Sequence, residues 1–124
     1  MRLVLTLALC LIGATAARAQ QPISQSMAQC AGLTNALRDH ITATDHLDRI
    51  DHMVRVWIEA AVSEAHLEGR DDATGWVNTH AVEMYGKWSD TSSLRMLTSQ
   101  EFQDWTNYCG ALSVDLGLDA RMRG

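Results

Sequence analysis

The residues with the clearest capacity for chemistry are the histidines, because three of the five follow an aspartate. These aspartate and histidine pairs recur every six residues, as Asp39 and His40, Asp45 and His46, and Asp51 and His52. On a helix, a step of six residues turns the side chain by about 600°, so successive pairs point about 120° apart and cannot converge on one ion. The spacing therefore predicts a solvated, charge-paired surface and no metal site.

Two of the three cysteines, Cys30 and Cys109, follow an N-terminal stretch that has the features of an export signal. Export to an oxidising compartment and an even cysteine count favour one disulfide between them. Metal ligation is the weaker alternative, because structural zinc sites have four protein ligands and the sequence has no CxxC or HxxxH motif. A bridge between residues 79 positions apart (109 − 30) would stabilise the fold by about 4.5 kcal/mol through chain entropy.

The four tryptophans fall on or near the apolar faces of predicted helices, and one histidine joins them. His80 lies on such a face between Trp76 and Met84; a histidine there is usually satisfied by a backbone carbonyl or a hydroxyl, or else lines a pocket. Aromatic core is the simplest interpretation of the tryptophans, and a ligand pocket is the alternative. The residues of that candidate pocket are Trp57, Trp76, His80, Met84 and Trp105.

Enzyme motifs are missing from the sequence. There is no GxSxG, HExxH, P-loop, glycine-rich dinucleotide fingerprint, di-iron ExxH pair or CxxCH haem motif. Serine, histidine and aspartate are plentiful but fall on separate predicted helical faces, so no triad can be assigned. We therefore predict no catalytic residue, no cofactor and no metal. An enzyme would need a cleft with shifted titrating groups.

Residues 1–19 resemble a Sec-type signal peptide, with a basic start, an apolar stretch over 3–13 and an A-x-A cleavage site at 17–19. The stretch is too short to span a bilayer. A large residue precedes Cys10, which argues against a lipoprotein signal. We predict that residues 20–124 form one exported domain, either periplasmic or secreted.

The predicted mature chain is acidic. Removal of Arg2 and Arg18 from the ten basic residues leaves eight against 15 acidic ones, a formal charge of −7 (8 − 15). A nucleic-acid binder needs a basic face, and anionic lipid is disfavoured for the same reason. Solubility alone explains an acidic surface. No later segment is apolar enough to cross a membrane.

Four segments show the apolar periodicity of amphipathic helices, at about residues 26–42, 45–68, 73–88 and 99–116. The second is the longest, and its broad apolar face suggests that the other helices pack around it. One extra short turn is expected over 94–97, and a loose tail after Gly117.

Local residues mark the ends of these predicted helices. Thr44 is the expected N-cap of the long helix, Gly69 its left-handed C-cap residue, and Asp72 the N-cap of the third helix. Thr98 and Glu101 match a capping box at the start of the fourth helix.

Together these features predict an all-α, up-down-up-down four-helix bundle closed by a disulfide. Antiparallel helices with short loops place the beginning of the first helix beside the end of the last, and so bring Cys30 near Cys109. We expect a non-enzymatic exported protein that binds another protein or an envelope component, as an accessory, inhibitor or chaperone-like factor. The alternative is a small-ligand carrier with its aromatic pocket in the bundle core.

Overall fold

The computed structural model describes residues 21–124, and the predicted signal peptide lies outside them. The described chain is all-helical without a strand, which confirms the predicted fold class. Its helices are α1 (Ile23–Arg38), α2 (Thr44–Leu67), α3 (Ala73–Ser89), α4 (Ser93–Thr98), α5 (Gln100–Asp115) and α6 (Asp119–Arg123). The expected short turn is thus helix α4. Within residues 21–124, none of the helices has the length and hydropathy needed to cross a membrane.

Two glycines and an aspartate end or begin helices as predicted. Gly69 and Gly117 have φ angles of 81° and 70°, in the left-handed region that favours glycine. The Gly69 amide donates to the His66 carbonyl at 3.0 Å and the next amide to the Ala65 carbonyl at 3.1 Å, which is the Schellman arrangement. The Asp72 carboxylate accepts the Gly75 amide at 3.0 Å and caps α3.

Two other predicted helix starts are wrong by one residue. Thr44 is the first residue of α2 and not its cap. Ser99 caps α5, and its hydroxyl accepts a backbone amide of the first turn at 3.3 Å. The Thr98 hydroxyl instead donates to a carbonyl of α4 at 2.9 Å. Glu101 is the second residue after the Ser99 cap, whereas a capping box needs the acidic residue at the third, and its carboxylate forms an ion pair with Lys87 on α3.

The most enclosed helix is α1, so the prediction that α2 is the centre of the packing is wrong. Ten of the 16 residues of α1 are buried, against five of the 24 residues of α2. Helix α1 lies between α2 and α3 and contacts both. Small side chains allow this close approach: a Cβ added at Gly32 would lie 2.1 Å from the Ala81 carbonyl oxygen of α3.

Contacts between helix ends fix the directions of the first three helices. Ser24, at the start of α1, bonds to Glu68, just after the end of α2, so these helices run antiparallel. Tyr85, near the end of α3, donates to Asp39, just after the end of α1, at 2.7 Å. Helices α1 and α3 therefore run in the same direction.

The fourth long helix, α5, is joined to α1 by the predicted disulfide, which the structure confirms. Cys30 and Cys109 are bonded, with their Cα atoms 5.7 Å apart. Both cysteines lie in the middle of their helices, whereas the bundle prediction placed them towards opposite ends. The two helices thus meet around their centres.

The C-terminal segment is a docked helix, so the prediction of a loose tail is wrong. Leu118 and Met122 are 6% and 7% exposed and belong to the core. The His52 Nε2–H group of α2 donates to the Arg121 carbonyl at 2.7 Å. The left-handed turn at Gly117 directs the chain back onto α2, and burial of two large side chains stabilises it there.

Candidate functional site

The five residues of the sequence-predicted pocket occupy three different surroundings. Trp57 and Met84 are buried, with exposed fractions of 2% and 7%. Trp76 and His80 are in contact, with ring centroids 4.4 Å apart in an edge-to-face arrangement. Trp105 lies on α5 and lines an open groove that none of the other four residues lines.

His80 is largely enclosed on α3. Its side chain is 16% exposed, and the nearest carboxylate oxygen, of Glu83, lies 3.9 Å from its Nδ1 atom. Among the buried side-chain nitrogen and oxygen atoms of residues 21–124, this Nδ1 is the one without a hydrogen-bond partner. The expected carbonyl or hydroxyl partner is therefore not found at this atom.

Trp76 belongs to a polar cluster that caps the start of α1. Its indole N–H donates to the Ser24 hydroxyl at 2.9 Å, and that hydroxyl donates to Glu68 at 2.5 Å. The Ser24 amide also donates to Glu68, at 3.1 Å, so a carboxylate from the end of α2 satisfies an orphan amide of α1. The Arg70 guanidinium donates to Glu68 at 3.0 Å and lies 3.5 Å from the centroid of the Trp76 ring.

The charge state of Glu68 follows from this cluster. Burial raises the pKa of the Glu68 carboxyl, but hydrogen bonds from Ser24 and the ion pair with Arg70 outweigh burial and hold the pKa below 4.5, the ordinary value. The ionised form is thus the one that holds α1 in place.

Two of the other histidines, His40 and His52, form hydrogen bonds between separate parts of the chain. His40 bonds to the Trp88 carbonyl at 3.2 Å and to the Ser93 hydroxyl at 2.8 Å. Asp51 pairs with Arg38 of α1 at 3.3 Å. Over residues 21–124, no group of three histidine, cysteine or acidic side chains is placed to hold a metal.

A wide, open groove lies between the start of α1 and one face of α5. Its volume is about 550 Å³, and its lining residues are Gln21, Ile23, Ser26, Glu101, Asp104, Trp105 and Tyr108. We call it the α1–α5 groove. Its four α5 residues follow one another at steps of three, one and three, the spacing of a single helical face. Cys109 directly follows Tyr108, and Cys30 lies one turn after Ser26, so the disulfide joins the two walls of the groove.

The floor of the α1–α5 groove is apolar and accessible. The rings of Trp105 and Tyr108 meet edge to face, with centroids 5.8 Å apart. Tyr108 is 43% exposed and Ile23, on the opposite wall, is 39% exposed. A contiguous apolar patch with a polar rim is typical of interaction sites.

The rim of the α1–α5 groove is negatively charged. Helix α5 carries three carboxylates, of Glu101, Asp104 and Asp115, and no lysine or arginine. Residues 21–37, which include the α1 wall, contain no charged side chain. Glu101 is paired with Lys87, whereas the Asp104 carboxylate accepts a hydrogen bond from the neutral Gln100 amide at 2.8 Å.

Of the residues that line this groove, the sequence predicts one as a site residue, Trp105, and places it in the bundle core. The spacing of Glu101, Asp104 and Tyr108 around Trp105 could have indicated a second functional face on α5. Nothing in the sequence indicated that Ile23, some 80 positions earlier (105 − 23 = 82), forms the opposite wall.

Comparisons of the chain with protein-family models, with curated protein sequences and with solved structures found no match. The geometry of the α1–α5 groove and the sequence therefore provide the evidence for function.

Proposed function

We propose that this chain is a small exported helical protein that binds a partner protein or an envelope component through the α1–α5 groove. The observation that carries the proposal is the accessible apolar surface of Ile23, Tyr108 and the partly buried Trp105, between two walls joined by a disulfide. Tryptophan and tyrosine are the residues that most often anchor protein interfaces. Walls held in place before binding lower the entropy cost of association.

Export is supported by two features of the chain. Residues 1–19 have the pattern of a cleavable Sec-type signal, and the disulfide between Cys30 and Cys109 is of the kind that persists in oxidising compartments. The proposed location is the periplasm or the exterior of the cell.

Binding suits the groove better than catalysis does. Its lining has no histidine, cysteine or lysine that could act as a nucleophile or a base near neutral pH. Ser26 is buried, and its hydroxyl accepts a hydrogen bond from Gln21 at 3.0 Å. We therefore propose an accessory, inhibitory or chaperone-like role without cofactor or metal.

A carrier would have to use the α1–α5 groove instead of the predicted pocket in the bundle core, because only Trp105 of the five predicted residues lines it. The volume of the groove, about 550 Å³, falls in the usual range of ligand pockets of roughly 300–1,000 Å³. Such pockets bury most of the ligand surface, whereas this groove is open along one side. An extended segment of a larger partner fits an open groove better than an enclosed small molecule does.

Site-specific photo-cross-linking tests the proposal in the cells that produce the protein. The full chain, including its leader, carries p-benzoylphenylalanine in place of Tyr108 in the groove or in place of Leu94 as a control. Leu94 is 75% exposed on α4 and lies outside the groove. We expect a discrete adduct from position 108 that is lost when Trp105→Ala is added, and none of that mass from position 94.

Two results would contradict the binding proposal. Adducts that are identical from both positions would show that the groove has no special role. No adduct from position 108, together with a small molecule retained in native mass spectrometry of the purified protein, would favour the carrier.

A further inference from the structure

The same face of α5 that lines the groove carries two carboxylates followed by two aromatic rings. Glu101 and Asp104 precede Trp105 and Tyr108 within two helical turns, so two carboxylates and two aromatic rings lie on one helical face. An aromatic ring attracts a cation through its quadrupole, and an adjacent carboxylate attracts the same cation by charge. An aromatic ring and a carboxylate that lie close together can therefore bind a positive group.

This protein already uses that pairing within its own fold. Arg70 lies 3.5 Å from the centroid of the Trp76 ring while it donates to the Glu68 carboxylate at 3.0 Å. Lys87 lies 5.2 Å from the centroid of the Trp88 ring and pairs with Glu101. Two tryptophans thus each hold a cation that a carboxylate also binds.

Trp105 lines the α1–α5 groove together with the carboxylate of Asp104. Asp104 directly precedes Trp105 in the groove and accepts one hydrogen bond, from the neutral Gln100 amide, although a carboxylate can accept about four. Within residues 21–124, no lysine or arginine lies over the Trp105 ring. A cation that paired with Asp104 over Trp105 would therefore come from a binding partner.

We infer that the occupant of the α1–α5 groove is a basic segment of a partner protein, with an arginine or lysine placed over Trp105 and paired with Asp104. The inference depends on the proposed binding function and adds the chemistry of the partner. Apolar residues of the segment would cover Ile23 and Tyr108, which are both partly exposed. The formal charge of −7 on residues 21–124 (8 − 15) would also speed the approach of a basic partner.

Synthetic peptides test this inference on the purified, oxidised mature protein. The probe is an end-capped nonapeptide with leucine at alternate positions and two arginines, GLRLGLRLG. Its matched controls replace both arginines by citrulline, a neutral group of the same shape, or by glutamate. Calorimetry at low and at moderate salt measures each affinity, and arginine amide alone tests whether a single cation suffices.

Protein variants provide the second comparison. Asp104→Asn removes the groove carboxylate, and Asp115→Asn removes one charge from the same helix outside the groove lining. We expect the arginine peptide to bind about tenfold more tightly than the citrulline peptide. We expect Asp104→Asn to weaken binding about fivefold and Asp115→Asn less than about twofold, because a distant charge is screened. Trp105→Leu should weaken binding about fivefold or more.

Several outcomes would overturn the inference. Equal binding of the arginine and citrulline peptides, weakened alike by Trp105→Leu, would show that the groove binds peptides without a preference for a cation. That result would contradict the basic partner but would still support the proposed binding function. Equal effects of Asp104→Asn and Asp115→Asn on peptide affinity, or no binding of any peptide, would contradict the inference that the partner segment is basic. Arginine amide that binds as tightly as the peptide would replace the partner segment by a small cation.

Discussion

Replacing Gly32 by alanine adds one methyl group at the closest approach of α1 and α3. The new Cβ would lie 2.1 Å from the Ala81 carbonyl oxygen, 3.0 Å from its carbon and 3.1 Å from the Met84 Cβ atom. Ordinary contact of a carbon atom is about 3.5 Å or more. The obstacle is the backbone of a helix, so it cannot move aside as a flexible side chain would.

Two opposing effects determine how much Gly32→Ala changes the free energy of unfolding. Alanine is a better helix former than glycine by about 1 kcal/mol, which favours the variant. Overpacking of a filled core costs about 1–3 kcal/mol, and the rigid carbonyl of Ala81 points to the upper end of that range. We therefore expect Gly32→Ala to lower the free energy of unfolding by about 2 kcal/mol.

Two other helical glycines provide matched controls. A Cβ added at Gly86 of α3 or at Gly110 of α5 would meet no heavy atom within 4 Å. Gly86→Ala and Gly110→Ala should therefore raise the free energy of unfolding by about 0.5–1 kcal/mol each.

Urea denaturation followed by circular dichroism, with the disulfide intact, measures all three variants. An equal gain in stability for Gly32→Ala and the two controls would refute the close approach of α1 and α3. Destabilisation of all three by the same amount would show that contacts around Gly32 are not the cause.

Three further predictions concern the disulfide, the Glu68 cluster and the cap of α3. Joint replacement of Cys30 and Cys109 by alanine should cost about 4.5 kcal/mol in urea denaturation; a loss below about 1 kcal/mol would contradict the loop-closure argument. Because the folded pKa of Glu68 is lowered, its stabilising effect is complete above the ordinary value of 4.5 and is lost as the pH falls through the folded pKa. The difference in melting temperature between the wild type and Glu68→Gln should thus shrink on acidification from neutral pH, and a difference that stays constant would count against the ionised cap. Asp72→Ala should cost about 1 kcal/mol, whereas Asp71→Ala, one residue before the cap, should change stability by less than about 0.5 kcal/mol.

The α1–α5 groove could be predicted only in part from the sequence. Trp105 was recognised as a candidate ligand-binding residue, because aromatic residues are informative wherever they fall. In the structure Trp105 is partly buried against the core and also lines the open groove, because it lies at the margin of the buried stripe that Phe102 and Cys109 form on α5. Which margin of a stripe is covered depends on the neighbouring helix, and periodicity does not contain that information.

Local chemistry in the sequence determined the four long helices, most of their ends and the disulfide. Helical hydrogen bonds join residues four apart, so the signals at Gly69 and Asp72 can be recognised from their immediate neighbours. The pairing of Cys30 with Cys109 followed from their number and from the predicted export. The tertiary structure alone decided that α1 is the enclosed helix, that the C-terminal segment docks on α2, and that the first half of α5 lines a groove with the start of α1. Each of these three features depends on which helix surfaces fit together, as they do at Gly32. Close packing between residues far apart in the chain produces no periodic pattern in the sequence.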